Sequence, residues 1–324
     1  MPCPPENRED RLLPPVATLG PWLQRFGIVV ALVVIGTALT AATPHFATPG
    51  NLITVARQIS INGILAVGVT YVLLTGGVDL SLGSVVALSG VVAATFARPG
   101  EYPVVVPIGL GILAGAACGA VNGVVVTWGK VAPFIATLGM MTIARGLALL
   151  VSGGAPVSNM GPELRRLGGD VAGIPIPVLI LAAVAGGSWL FLTNTRLGRH
   201  VYAVGGNENA ARAAGISIHW VKMFAYTTCG ALAGLAGVVL AARITTGQPN
   251  AGVAYELDAI AAVVIGGTSL SVGVGGLGGT VLGAVLMGVI NNGLDLLNVR
   301  SYYQQIVKGG IIIVAVWLDR RNKE

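Results

Sequence analysis

Gly76-Gly77-Val78-Asp79-Leu80-Ser81-Leu82-Gly83-Ser84 decides the fold, because it places glycine and polar side chains between two apolar runs, 58–75 and 85–97. A related stretch, Gly266-Gly267-Thr268-Ser269-Leu270-Ser271-Val272-Gly273-Val274, recurs in apolar surroundings. Polar groups persist at membrane depth where the backbone is buried in protein or lines an aqueous cavity. One copy alone favours a short polar turn between two spans, whereas a duplicated interrupted segment predicts a transport pathway.

The composition is typical of a membrane protein with many spans. Of the 324 residues, 54% are hydrophobic and only 10% are charged, against about 25% charged in soluble domains. The apolar runs are long and continuous, which argues against a β-barrel. Among the 48 glycines, Gly115, Gly119 and Gly123 are spaced to share one helix face, as are Gly230 and Gly234. Such faces let membrane helices approach closely.

The apolar runs predict an all-α polytopic membrane protein with about ten transmembrane helices, an internal repeat and broken helices. About 20 residues cross the hydrocarbon core. The predicted spans are 27–43, 58–75, 82–97, 104–128, 132–152, 174–193, 220–243, 256–271, 277–298 and 303–318. The third and eighth are short, which is typical of re-entrant or tilted segments.

The chain divides into a polar N-terminal extension (1–26), a transmembrane domain (27–319) and a short tail (320–324). With the N-terminus inside, eleven cations fall in cytoplasmic segments and six in outer segments. The positive-inside rule then places both termini in the cytoplasm. This bias accounts for the net charge of +6 without a nucleic-acid partner. The same count puts both Gly-Gly stretches on one side, whereas an inverted repeat would put them on opposite sides.

The longest polar stretch after the N-terminus is the loop 194–222. Its second half predicts a helix of about 12 Å. Asn207 is the expected N-cap, Glu208 suits the first turn, and Gly215 ends the helix. An alanine-rich face allows another protein to approach closely. The loop is therefore either a docking helix for a cytoplasmic partner or an ordinary solvated connector.

Four blocks of sequence resemble one known family. They are Asn51-Leu52-Ile53 through the first Gly-Gly stretch, Pro133-Phe134-Ile135-Ala136-Thr137-Leu138-Gly139-Met140-Met141-Thr142-Ile143-Ala144-Arg145-Gly146, the loop 198–215, and the second Gly-Gly stretch followed by Gly288-Val289-Ile290-Asn291-Asn292-Gly293. Over about residues 45–320 the chain resembles the permease subunits of bacterial ABC importers for monosaccharides, the ribose/xylose/galactose group.

The resemblance implies a type II-like ABC importer permease in the bacterial inner membrane. Two permease copies would form the pore as a homodimer in lipid, with a cytoplasmic ABC ATPase subunit below and a periplasmic sugar-binding protein above. The segment 208–215 resembles the family's coupling helix, which implies contact with the ATPase for Glu208, Asn209, Ala210, Ala211, Arg212 and Gly215. Val274 and Asp295 depart from residues that the family commonly has at these positions.

The sequence predicts neither an enzyme nor a cofactor or metal site. The phosphate-binding pattern Gly-x4-Gly-Lys-Ser/Thr is absent, so ATP hydrolysis is expected in a separate subunit. The three cysteines, Cys3, Cys118 and Cys229, predict no disulfide framework. No pair of histidines has metal-ligand spacing.

The candidate residues for the translocation pathway are polar groups at membrane depth: Asp79, Ser81, Ser269, Ser271, Asn291 and Asn292. Asp79 either lines the pathway or caps the helix that begins near Leu82. Asn291 and Asn292 suit sugar hydroxyls and interhelical hydrogen bonds equally well.

Other charged residues have structural or docking interpretations. A cation within a span, such as Arg145, must face the bundle or snorkel. We expect Arg145 to form an ion pair with Asp295 or Asp79 rather than to contact sugar. Lys308 is expected near a membrane interface. The outer segment 153–173 carries Glu163, Arg165, Arg166 and Asp170, which could contact the binding protein.

Two alternatives remain at this point. An ion-coupled secondary transporter also uses repeated broken helices. It usually needs buried carboxylates or cation ligands arranged for ion coupling, and only Asp79 and Asp295 are convincing intramembrane acids. An amphiphile-binding or scaffolding membrane protein would not need the duplicated Gly-Gly stretch.

Overall fold

The structure is a computed structural model that describes residues 21–269 and 273–321. Within that part of the chain the elements are α1 (Pro21–Ala42), α2 (Pro49–Leu74), α3 (Leu82–Phe96), α4 (Val105–Thr127), α5 (Pro133–Ser152), α6 (Pro162–Arg165), a 3-10 turn (Arg166–Gly168), β1 (Asp170–Val171), β2 (Ile174–Pro175), α7 (Ile176–Asn194), α8 (Arg196–Gly206), α9 (Glu208–Ala213), α10 (Ile218–Ile244), α11 (Tyr255–Ile265), α12 (Leu277–Leu296) and α13 (Ser301–Arg321).

Six of the described helices are long and apolar enough to cross a membrane: α2, α4, α5, α7, α10 and α12. The segment Gly27–Ala42 and helix α3 are shorter apolar helices. Helix α11, which covers most of the predicted span 256–271, has 11 residues, too few to cross the hydrocarbon core alone. The chain is thus a helical integral membrane protein. Its helical structure stops at Gly76-Gly77, between α2 and α3, and at Gly266-Gly267, between α11 and α12.

Helices α2 and α10 form the centre of the molecule. Nearly every side chain of α2 from Ile59 to Leu74 is buried, which fits a helix that is apolar on all sides. Helix α10 packs against α2, α3 and α4. Helices α5 and α7 are peripheral, because most of their apolar side chains face away from the protein.

The predicted small faces of α4 and α10 pack against each other. A β-carbon on Gly115 would overlap the Gly230 carbonyl oxygen and lie 2.7 Å from the Cα of Gly234. One on Gly119 would lie 3.0 Å from the Cα of Gly230. The spacing of these glycines therefore correctly predicted a close helix–helix contact.

Helices α11, α12 and α13 form a second group that packs on α2. The hydroxyls of Thr70 on α2 and Thr280 on α12 lie 3.0 Å apart. Asn51 and Asn292 exchange two side-chain hydrogen bonds of 2.9 and 2.8 Å. Of the two roles expected for Asn292, sugar contact and interhelical hydrogen bonding, the structure shows interhelical hydrogen bonding.

A small irregular layer connects α5 to α7. Strands β1 and β2 pair antiparallel, and Val157 forms a bridge with Gly247 in the loop after α10. Asp170 accepts a hydrogen bond of 2.6 Å from Arg57 at the start of α2. These contacts attach the segment 153–173 to one end of the helical bundle.

The interrupted segments and the loop between them as candidate functional site

The first interrupted segment begins where α2 ends at Leu74. Gly76 has φ of 74°, a backbone conformation that favours glycine. The amide of Gly77 still donates to the Val72 carbonyl at 3.1 Å. A β-carbon on Gly77 would lie 2.6 Å from the hydroxyl of Tyr226 on α10. The two glycines therefore allow a tight turn directly against α10.

Asp79 is held in a buried hydrogen-bond network. Its side chain is 1% exposed and accepts from the amide and the hydroxyl of Ser81, at 2.9 and 2.6 Å. Asn122 of α4 donates to the Ser81 hydroxyl at 3.1 Å, and Tyr226 donates to the Val78 carbonyl at 3.3 Å. Both bonds of Asp79 go to Ser81, which precedes α3, so Asp79 orders the turn before α3.

The second interrupted segment follows α11. Gly266 packs against Gly279 at the start of α12, and Gly267 has φ of 85°. Ser269 is 4% exposed, and its amide donates to the Val274 carbonyl at 2.8 Å. Ser271, a pathway candidate, lies outside the described residues.

The loop contains two helices, and the predicted short helix is present as α9. The Asn207 side chain accepts from the Ala210 amide at 2.9 Å and is the N-cap, as expected. Asn209, Ala210, Arg212 and Gly215 are exposed, whereas Ala211 is 4% exposed. Ala211 therefore packs against the protein, whereas Asn209, Ala210 and Arg212 form the outward face of α9.

Glu208 anchors α9 to α10. Its carboxylate accepts from Lys222 at 2.6 Å and from Arg212 at 3.4 Å. The hydrogen bond from Lys222 holds the pKa of Glu208 below its ordinary value, and partial burial opposes this effect. Glu208 and Lys222 border a cavity of about 520 Å³ that also includes Lys130 and His219.

Helix α8 contacts both interrupted segments at one point. A β-carbon on Gly205 would overlap the Leu74 carbonyl oxygen and lie 2.8 Å from the Cα of Gly273. Nearby, the Tyr202 hydroxyl donates to the Gly275 carbonyl at 3.3 Å. Both segments therefore meet the loop at the same end of the bundle. The sequence reasoning missed this junction, since the Gly205-Gly206 pair in the loop was the only signal.

A buried ion pair and a hydrogen bond link α11, α12 and α13. Lys308 lies 2.9 Å from Asp258, which is 2% exposed and also accepts from Asn291 at 3.2 Å. The ammonium of Lys308 thus pairs with a buried carboxylate, and the expected position of Lys308 near a membrane interface stays a prediction. The restriction of intramembrane acids to Asp79 and Asp295 left out a buried acid. Asp258 was missed although it lies within the predicted span 256–271.

Arg145 has neither of its expected partners. Its guanidinium donates to the carbonyls of Pro249 and Ala251, at 2.5 and 2.8 Å. Asp295 instead accepts from Gln304 at 2.8 Å. Backbone carbonyls in the loop before α11 thus take the place of a carboxylate.

This arrangement defines a class of protein: a helical integral membrane protein in which two interrupted segments meet one polar loop. The chain belongs to the family described as "Branched-chain amino acid transport system / permease component", whose sequence model matches residues 51–316.

Individual relatives are similar over almost the whole chain. The chain is 45% identical to the ribose import permease protein RbsC of Escherichia coli K12, covering 93% of this chain and 95% of the relative. It is 44% identical to RbsC of Bacillus subtilis, over 93% and 94%. It is 39% identical to the D-allose transport system permease protein AlsC of Escherichia coli K12, over 91% of each. No solved structure matches the chain.

Proposed function

We propose that the chain is the transmembrane permease subunit of an ATP-driven importer and forms the pathway for a monosaccharide. The observation that carries the proposal is its similarity, over more than nine-tenths of its length, to permeases named for ribose, allose, arabinose and xylose. A periplasmic binding protein delivers the sugar, and a separate ATPase hydrolyses ATP, so the chain itself is not an enzyme.

In this proposal the chain has about ten spans with an internal repeat, and it works as a homodimer in the lipid of the bacterial inner membrane with both termini in the cytoplasm. The repeat is supported by the similarity of two helix pairs, α2 with α3 and α11 with α12. In each pair a Gly-Gly turn separates the two helices. The contact of Gly205 with both turns supports their placement on one side, the cytoplasmic one.

The ATPase docks on the outward face of α9. Asn209, Ala210, Arg212 and Gly215 are exposed there, while Glu208 and Ala211 hold the helix to the protein. A force on α9 passes to α8, because the two helices are separated only by Asn207. From α8 it reaches the two interrupted segments through Gly205. The loop therefore couples nucleotide-driven movement to the pathway.

Polar side chains in and beside the interrupted segments border the pathway when these segments separate. They are Asp79, Ser81, Ser269, Ser271, Asn291 and Asn292. In the present conformation Asp79 and Ser81 are satisfied by each other, and Asn291 bonds to Asp258. Their exchange of protein partners for sugar hydroxyls would keep substrate affinity low, as conduction requires.

The binding protein contacts the opposite end of the bundle. Glu163, Arg165 and Arg166 are exposed in the segment 153–173. Asp170 has a structural role instead, because it pairs with Arg57 and stabilises the segment. Charge reversal at Arg165 and Arg166 should weaken docking of the binding protein without releasing the ATPase.

One observation favours the alternative of an ion-coupled secondary transporter. Asp258 is a buried carboxylate whose Oδ1 atom has no hydrogen-bond partner among the described residues. Buried acids of this kind serve as ion or proton sites in such transporters. The energy source separates the two functions, since an ionophore abolishes ion-coupled uptake and leaves ATP-driven uptake intact.

The experiment begins with the tagged chain purified from native membranes in mild detergent. We expect an ATPase and a sugar-binding protein to co-purify. Ala213→Trp adds bulk to the exposed side of α9 and should release the ATPase. Ala155→Trp, at an exposed alanine in the outer segment, is the matched control and should retain it. The recovered complex is then reconstituted, and uptake of ribose, allose, arabinose and xylose is measured. Uptake that needs no ATP and stops with an ionophore would contradict the proposal.

A further inference from the structure

A cavity of about 540 Å³ lies between α3, α5 and the loop that leads into α11. Its wall includes Ser84 from the first Gly-Gly stretch, Thr142 and Arg145 from α5, and Val253 and Glu256 next to the start of α11. Two of the sequence blocks that resemble the permease family therefore meet at this cavity.

The cavity wall holds two opposite charges, Arg145 and Glu256, which attract each other without direct contact. Both hydrogen bonds of Arg145 use the same nitrogen, Nη1. Glu256 rests against the start of α3, where a β-carbon on Gly83 would overlap its Oε2 atom. Among the described residues, the ion pairs within 4 Å do not include Arg145 with Glu256. Both side chains thus border the cavity without bridging it, so a third group could contact both.

The charges in the cavity wall argue against lipid as that group. The cavity wall belongs to helices of a membrane protein, and most of its surface is apolar. In the part of the chain that the structure describes, Arg145 has only two backbone carbonyls as hydrogen-bond partners, and Glu256 has nearby backbone amides. Hydrocarbon would offer the remaining polar atoms of both groups no partner, which is costly and rare in membrane proteins. We therefore expect water or a polar solute in the cavity, with the second copy of the chain separating it from lipid.

The paired charges suit a neutral solute with many hydroxyls. A sugar hydroxyl can donate to the Glu256 carboxylate while another accepts from the Arg145 guanidinium. A cation or an anion would gain one of these contacts and be repelled by the other charge. The volume lies within the range of small-molecule sites, about 300–1,000 Å³.

We propose that the cavity between Arg145 and Glu256 is a monosaccharide-contact site on the translocation pathway. This inference rests on the proposed function, because it assumes that a monosaccharide crosses the membrane through this chain. It assigns sugar contact to Arg145, although the sequence had predicted a structural ion pair for this residue. It also adds Glu256, which the sequence did not single out.

The test compares two neighbouring positions on α5. Thr142→Cys places a thiol in the cavity wall, and Ile143→Cys places one on an exposed apolar position outside it. Cys118 and Cys229 are buried and stay in place, while Cys3 is replaced by serine. The complete complex in lipid nanodiscs is treated with a charged, membrane-impermeant thiol reagent. We expect Thr142→Cys to react about tenfold faster than Ile143→Cys, since only an aqueous site admits a charged reagent. Millimolar D-ribose should slow the reaction at Thr142→Cys alone.

Transport by Glu256→Gln and Arg145→Gln provides the second measurement. We expect uptake to fall and the preference between ribose and allose to change, while recovery of the ATPase complex stays normal. Equal, slow labelling at both cysteines overturns the proposal, as does unchanged sugar preference in both variants. If the wild-type complex takes up sugar with ATP but these results fail, only the site is wrong. If the wild type shows no ATP-driven uptake, the proposed function fails as well.

Discussion

Two buried aspartates, Asp79 and Asp258, are stabilised in different ways. Asp79 is 1% exposed, and both its hydrogen bonds come from Ser81, two residues along the chain. Asp258 is 2% exposed, and its bonds come from Lys308 and Asn291, on two other helices. Asp79 thus orders a local turn, whereas Asp258 joins three helices.

The difference shows how each region can move. A network built from one short segment and its neighbours can travel with that segment as a unit. An ion pair and a hydrogen bond that together join three helices resist their separation, because parting them would leave buried polar groups without partners. We therefore expect the first interrupted segment to shift during transport and the group α11, α12 and α13 to move as one body.

The largest expected effect is at Lys308. Lys308→Met leaves the carboxylate of Asp258 buried and unpaired, which should lower the free energy of unfolding by about 3–5 kcal/mol. Chemical unfolding in mixed micelles measures this. The double variant Lys308→Met with Asp258→Asn should recover most of the loss. A double variant as unstable as Lys308→Met alone would show that the pair does not join these helices.

A smaller effect is expected in the first segment. Ser81→Ala removes the hydroxyl that donates to Asp79 and accepts from Asn122, and should cost about 1–3 kcal/mol. Ser89→Ala is the matched control on α3, because the buried Ser89 hydroxyl has no hydrogen-bond partner among the described residues. The same unfolding experiment compares them. Equal losses would mean that the Asp79 network does not order the turn.

The smallest effect is at the anchor of α9. Because Lys222 lowers the pKa of Glu208, the ionised form stabilises the folded loop. That stabilisation is present above the unfolded pKa, near the ordinary value of 4.5, and is lost as the pH falls through the lowered folded value. A carbon-13 NMR titration of Glu208 should give a midpoint below 4.5.

Two variants serve as controls for this titration. Lys222→Met should move the midpoint of Glu208 upward. Lys130→Met removes a lysine from the same cavity without removing a bond to Glu208, and should leave the midpoint unchanged. Equal midpoints in wild type and Lys222→Met would contradict the assignment of the anchor.

The features that the sequence predicted are those encoded by local spacing. The helix 208–215 was predicted from its N-cap and terminal glycine, and α9 begins at Glu208 after the Asn207 cap. The glycine faces of α4 and α10 were predicted from their four-residue period. Both depend on residues that are close together in the chain.

The failures concern partners that are distant in the sequence. Arg145 was assigned to a carboxylate because a cation within a span needs an acceptor, yet the acceptors are carbonyls about a hundred residues away. Asp258 and Lys308 are 50 residues apart, and no local pattern connects them. The Gly205 junction likewise depends on the tertiary arrangement of α2, α8 and the second interrupted segment.

The most direct test of coupling through Gly205 compares two adjacent glycines in the loop. A β-carbon on Gly205 would overlap the first interrupted segment and crowd the second, whereas one on Gly206 would meet nothing within 4 Å. Overpacking of this kind costs about 1–3 kcal/mol, and about 1.4 kcal/mol corresponds to a tenfold change in rate. Ribose uptake and ATP hydrolysis are measured together in proteoliposomes that contain the complete complex. We expect Gly205→Ala to lower uptake per ATP about tenfold and Gly206→Ala to behave as wild type. Equal coupling in the two variants would contradict the claim that the loop drives both interrupted segments through Gly205.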